Sequence, residues 1–162
     1  MIDHAPPALA RCLPLLRIGL LALALAAGQS AAAMDTAPAT DLPDLSGIRA
    51  QIGAGNYETA ATELEALTAS VRHADLYNLL GFSLRKLKRY DEAARWYKEA
   101  LFYDPSHRSA LEYQGELFVE QGDFGNAEKN LELLRLLCHP SGCEEYDELR
   151  EALVGAGRTP KP

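Results

Sequence analysis

Residues 74–107, ADLYNLLGFSLRKLKRYDEAARWYKEALFYDPSH, and residues 108–141, RSALEYQGELFVEQGDFGNAEKNLELLRLLCHPS, align without a gap at an offset of 34. Gly81 falls on Gly115, Tyr90 on Phe124, Ala93 on Ala127, Tyr97 on Leu131 and Ala100 on Leu134. A period in this range marks a unit that cannot bury its apolar face alone and must stack on copies of itself. Each unit reads as two helices. Tyr77, Leu80, Gly81 and Leu84 recur at spacings of three and four, and so do Tyr90, Ala93, Tyr97 and Ala100, so each set makes one apolar stripe on a helix. The small residues Gly81 and Ala93 are expected where the two helices approach most closely. Asp104-Pro105 ends the second helix, because proline disfavours a helical conformation in the residue before it.

These residues resemble the tetratricopeptide repeat. Tyr77, Leu80-Gly81, Leu84, Ala93, Tyr97, Ala100 and Pro105 meet that family's pattern, with Leu84 in place of the usual aromatic. The next unit keeps Leu111, Gly115, Phe118, Phe124 and Ala127, but has Gln114 for the leucine and Leu134 for the last alanine, and its proline slips to Pro140. A degenerate unit over 41–73 precedes both. There Gly47 aligns with Gly81 at 34, but Tyr57 with Tyr90 and Ala60 with Ala93 at 33, which predicts one extra residue in the turn GAGN, 53–56. The expected fold is therefore an all-α, antiparallel helix-pair solenoid of about three units. Residues 142–154 place Tyr146, Leu149 and Leu153 on one face of a capping helix. Residues 34–40 are expected to form a flexible lead, and 155–162 a disordered tail.

The first 33 residues differ in kind. Arg11 and Arg17 flank the apolar run IGLLALALAA, 18–27, which is followed by Ala31-Ala32-Ala33. A positive flank, a short apolar core and an A-x-A end make a secretory signal peptide, cleaved after Ala33. The run is well short of the roughly 20 residues needed to cross a bilayer, so no stable membrane insertion is expected after cleavage. Cys12 precedes the apolar core, the wrong side for a lipid-bearing cysteine, and would leave with the signal. A periplasmic or secreted location follows, and with it an oxidising compartment. The net charge of −7, without a basic cluster, argues against nucleic acid.

Catalytic patterns are lacking: the sequence has no Gly-rich phosphate loop, no G-x-S-x-G and no H-E-x-x-H. His73 and His107 fall at junctions between units, one period apart, and read as loop or cap residues. Glu144-Glu145 sits at a helix start, where negative charge suits the helix dipole. No cofactor is implied. Cys138 and Cys143 bracket the turn HPSG between the last repeat and the capping helix. A disulfide fixing that helix, a soft-metal site with His139, and a redox dithiol all compete there. The spacing is not C-x-x-C and no fourth ligand is evident, which favours the disulfide.

The resemblance implies a concave groove lined by the first helices of successive units, binding a protein or peptide. Carried over by position, the groove residues are Asp75, Asn78, Phe82, Arg85 and Lys86 from one unit, and Ser109, Glu112, Glu116 and Glu120 from the next. The expected function is a non-enzymatic, exported scaffold that binds another protein. The alternative is a metal- or redox-handling assembly factor using Cys138 and Cys143.

Overall fold

The computed structural model describes residues 39–160, so the signal-like segment and all but the end of the lead lie outside the described residues. Seven helices and no strands are found there: α1 Ser46–Gly53, α2 Tyr57–Leu67, α3 Ala74–Lys86, α4 Tyr90–Tyr103, α5 Arg108–Glu120, α6 Phe124–Cys138 and α7 Glu144–Gly155. Each helix packs on the next, and α3 also touches α5, as α5 touches α7. This is a helix-pair solenoid with α1/α2, α3/α4 and α5/α6 as its units. The last helix, α7, packs on both α5 and α6. It stands where the first helix of a further unit would stand.

The apolar stripes turn inward. Leu76, Leu80, Leu84, Ala93, Tyr97 and Ala100 are fully buried in one cluster, and Leu134, Leu149 and Leu153 in a second that joins α6 to α7. A Cβ on Gly81 would lie 2.8 Å from the Tyr97 ring, which confirms the close approach of α3 and α4. The equivalent Gly115 is instead covered by the Leu149 side chain of α7. The absence of a side chain there lets the capping helix settle onto α5. Helix α4 ends at Tyr103, with Asp104 extended at φ −140° before Pro105.

The extra residue expected in the first turn is not there. All three turns within units hold three residues, and Gly55, Lys88 and Gly122 occupy the same left-handed place in them, at φ 79°, 61° and 76°. Ile48, not Gly47, is therefore the counterpart of Gly81. Ile48 is buried, whereas nothing lies within 4 Å of a Cβ on Gly47. The match between glycines was fortuitous, and a branched apolar side chain fills the position instead.

Both termini of the described chain are also tied down. Thr40, assigned to a flexible lead, exchanges bonds with Arg72: its N–H donates to the Arg72 carbonyl at 2.8 Å, and its hydroxyl accepts from the Arg72 N–H at 2.8 Å. In the stretch assigned to a disordered tail, Arg158 donates to Glu128 at 3.0 Å and lies 5.2 Å above the Phe124 ring. Between α6 and α7 the Cα atoms of Cys138 and Cys143 are 5.6 Å apart, with the sulfurs at bonding distance.

Candidate protein-binding cleft

Helices α3, α5 and α7 stand side by side and enclose an open cleft of about 430 Å³. Its lining comes from three helices: Phe82 and Lys86 from α3, Glu112, Tyr113 and Glu116 from α5, and Glu148, Glu151 and Ala152 from α7. Heptad-like spacing explains the assembly, since residues three or four apart on one helix share a face. The rings of Phe82 and Tyr113 meet at 4.8 Å between centroids, and Tyr57 approaches Phe82 edge-on at 6.2 Å. Lys86 holds its ammonium 5.0 Å above the Phe82 ring.

The predicted groove residues divide into three groups. Phe82, Lys86, Glu112 and Glu116 are brought together in the cleft. Asn78 and Arg85 do not line the cleft and are buried, at 4% and 3% exposure. Arg85 turns inward, binds Glu116, and donates to Glu120 at 2.6 Å. Its guanidinium lies 5.6 Å and 5.8 Å from the Phe82 and Tyr113 ring centres. Burial disfavours its charge, but Tyr97, Glu116 and Glu120 outweigh that penalty and hold its pKa above the ordinary value. Glu120 is therefore a structural partner of Arg85 and does not line the cleft.

Asp75 and Ser109 lie elsewhere, in a shallow recess with His73 and His107. The two histidines cap α3 and α5: Nδ1 of His73 accepts from the Asp75 N–H, and Nδ1 of His107 from the Ala110 N–H, each at 3.2 Å. With Nδ1 accepting, Nε2 of His107 donates to Asp75 at 3.1 Å and links one unit to the next. The recess is a joint between units.

Glu112 departs most from expectation. The sequence puts it in an exposed acidic row, yet it is 2% exposed. Burial, and then the neighbouring Glu148, with which it shares a hydrogen bond, push its carboxyl pKa up to about 9. The same surroundings, burial first and then the charges of Glu112, Glu148 and Glu116, push the Tyr113 phenol up to about 12. Sequence reasoning missed Tyr113, Glu148 and Glu151. The signal for the last two was the spacing of α7, which repeats a first helix; treating that segment only as an edge cover hid its inner face.

A row of helix pairs with an aromatic and acidic cleft on the face of the first helices is a repeat scaffold. Residues 74–107, α3 and α4 with their flanks, match the model of the tetratricopeptide repeat, and the fold is of that kind. No curated protein sequence matches the chain. Among solved structures, the type III secretion translocator chaperone SycD of Yersinia enterocolitica is similar at 21% identity and TM-score 0.60, over 69% of this chain and 87% of that one. PcrH in complex with the chaperone binding region of PopD is similar at 19% identity and TM-score 0.60, over 75% of this chain and 97% of that one. PcrH with the corresponding region of PopB is similar at 22% identity and TM-score 0.57, over 65% and 88%.

Proposed function

We propose that the protein is an exported, non-catalytic adaptor or chaperone that holds a segment of another protein in the cleft between α3, α5 and α7. The observation that carries this reading is the pair of aromatic rings, Phe82 and Tyr113, half-exposed in an open cleft. Half-buried aromatics of this kind are the usual anchors of protein interfaces. PcrH and SycD, of similar fold, hold segments of other proteins in their solved complexes, which supports a segment as ligand here. Photo-crosslinking from a residue placed at position 86 should label one protein partner, and Phe82→Ala with Tyr113→Ala should abolish the labelling without changing helicity. Labelling that persists in the double variant would place the binding surface elsewhere.

Export rests on the signal-like segment, and the bond between Cys138 and Cys143 accords with an oxidising compartment. Amino-terminal sequencing of the protein from an extracytoplasmic fraction should begin at Met34, and thiol titration of it should find no free thiol. A chain that keeps residues 1–33 in the cytoplasm contradicts export. The alternative metal-handling role finds less support: among the described residues no group of three or more His, Cys, Asp or Glu side chains is placed to hold an ion.

A further inference from the structure

Glu112 is an expensive residue to bury as a carboxylate, and no cation of the described residues compensates its charge. It lines the cleft at 2% exposure, and among the described residues it forms no ion pair. Its hydrogen-bond partner is a second carboxyl group, Glu148 of α7. Glu148 and Glu151, on the same wall, form no ion pair among the described residues either. Glu116 is engaged by Arg85 beneath the cleft floor. The one cation lining the cleft, Lys86, sits over the Phe82 ring on the opposite wall.

The protein also shows what such surroundings accept. Arg85, itself buried, lies against Phe82 and Tyr113 and binds two carboxylates, Glu116 and Glu120. The cleft is lined by the same two rings together with Glu112 and Glu148, and by no guanidinium. We infer that the cleft takes a basic side chain of the bound segment, above all an arginine, seated between Glu112 and Glu148, with a neighbouring apolar residue against Phe82 and Tyr113. A guanidinium is planar and presents forked donors that can satisfy two carboxylates at once. It also stacks on aromatic faces, which an ammonium does less well. Binding supplies the countercharge that folding leaves out and lets Glu112 release its proton to solvent, so burial of Glu112 becomes a preorganised recognition element. An acidic or phosphorylated segment would meet Glu148 and Glu151, which have no ion-pair partner among the described residues, and be repelled.

This inference rests on the cleft being the binding site, and the test separates the two. A randomised peptide display library is selected on the purified protein, and each enriched peptide is remade with its arginines replaced by citrulline, which keeps the shape and removes the charge. Enriched peptides should carry an arginine or lysine beside an apolar residue, and citrulline should weaken binding about tenfold or more. Glu112→Gln with Glu148→Gln should cost the arginine peptide a similar factor and leave the citrulline form unchanged. Peptides lost on Phe82→Ala but lacking a basic residue, or indifferent to citrulline, overturn the cation site and leave the cleft standing. A selection that yields no peptide dependent on Phe82 overturns the cleft, and this inference with it.

Discussion

Glu112→Gln tests the reading of the cleft through folding alone, without a partner. In the folded protein the Glu112 carboxyl titrates at about 9, against 4.5 as its ordinary value. Between those values the native state holds a proton that the unfolded chain has released. Stability therefore falls as pH rises, by about 1.4 kcal/mol per unit for this one group. The penalty is absent below about pH 4.5 and complete above about pH 9. At pH 7 the interval is 2.5 units, which corresponds to a cost of about 3 kcal/mol. Glutamine keeps the shape of the protonated acid and can still donate to Glu148, so the variant should recover most of that cost. Urea unfolding of both proteins across pH 4.5–8.5, with the difference plotted against pH, cancels the groups that titrate independently of Glu112 and leaves Glu112 with its coupled neighbour Glu148. The difference should start near zero and grow in favour of glutamine. A difference that is flat in pH would mean that Glu112 ionises in the folded protein as freely as in the unfolded chain. The cleft would then already hold a solvated carboxylate, and the case for a missing countercharge would collapse.

Other substitutions probe what holds the cleft walls in place. Gly81→Ala should lower stability by about 1–2 kcal/mol in thermal unfolding despite the better helix propensity of alanine, because the new Cβ meets the Tyr97 ring. Gly47→Ala, with open space around it, should cost nothing in the same assay. Lys88→Gly should stabilise the protein by about 0.5–1 kcal/mol, since Lys88 alone holds a left-handed conformation that glycine supplies in the other two turns. Replacing His107 by alanine removes the cap of α5 and its bond to Asp75, and should lower the unfolding free energy by about 1 kcal/mol, with much of the loss restored by asparagine.

Much of the fold was legible because the constraints that make it are local and repeated. An offset of 34 places Gly81 over Gly115 and Ala93 over Ala127, and the structure has the helix pairs α3/α4 and α5/α6 over these residues. The degenerate first unit was harder to read. A glycine is informative only where another chain segment comes close, and sequence does not show that Gly47 faces open space. The turn was the better guide to register, because a left-handed residue is demanded there whatever the side chains of the flanking helices.

The cleft was legible by face and not by depth. Period and family position assign Phe82, Lys86, Glu112 and Glu116 to one surface, and these four line one cleft, but an amphipathic pattern cannot say which charged residues on that surface are solvated. Arg85 and Glu112 fall on the same nominally exposed side, yet both are buried, for opposite electrostatic reasons. Arg85 is buried with its countercharges, Glu116 and Glu120, both supplied by α5, so its burial holds α3 and α5 together. Glu112 is buried against another acid brought in by α7, a helix whose packing on α5 depends on Gly115. That pairing requires the capping helix to stack as a further repeat would, so its inner face completes the cleft as well as sealing the core. An acid buried there without a cation, beside two rings that already lie against the Arg85 guanidinium, is what the proposed basic ligand would complement.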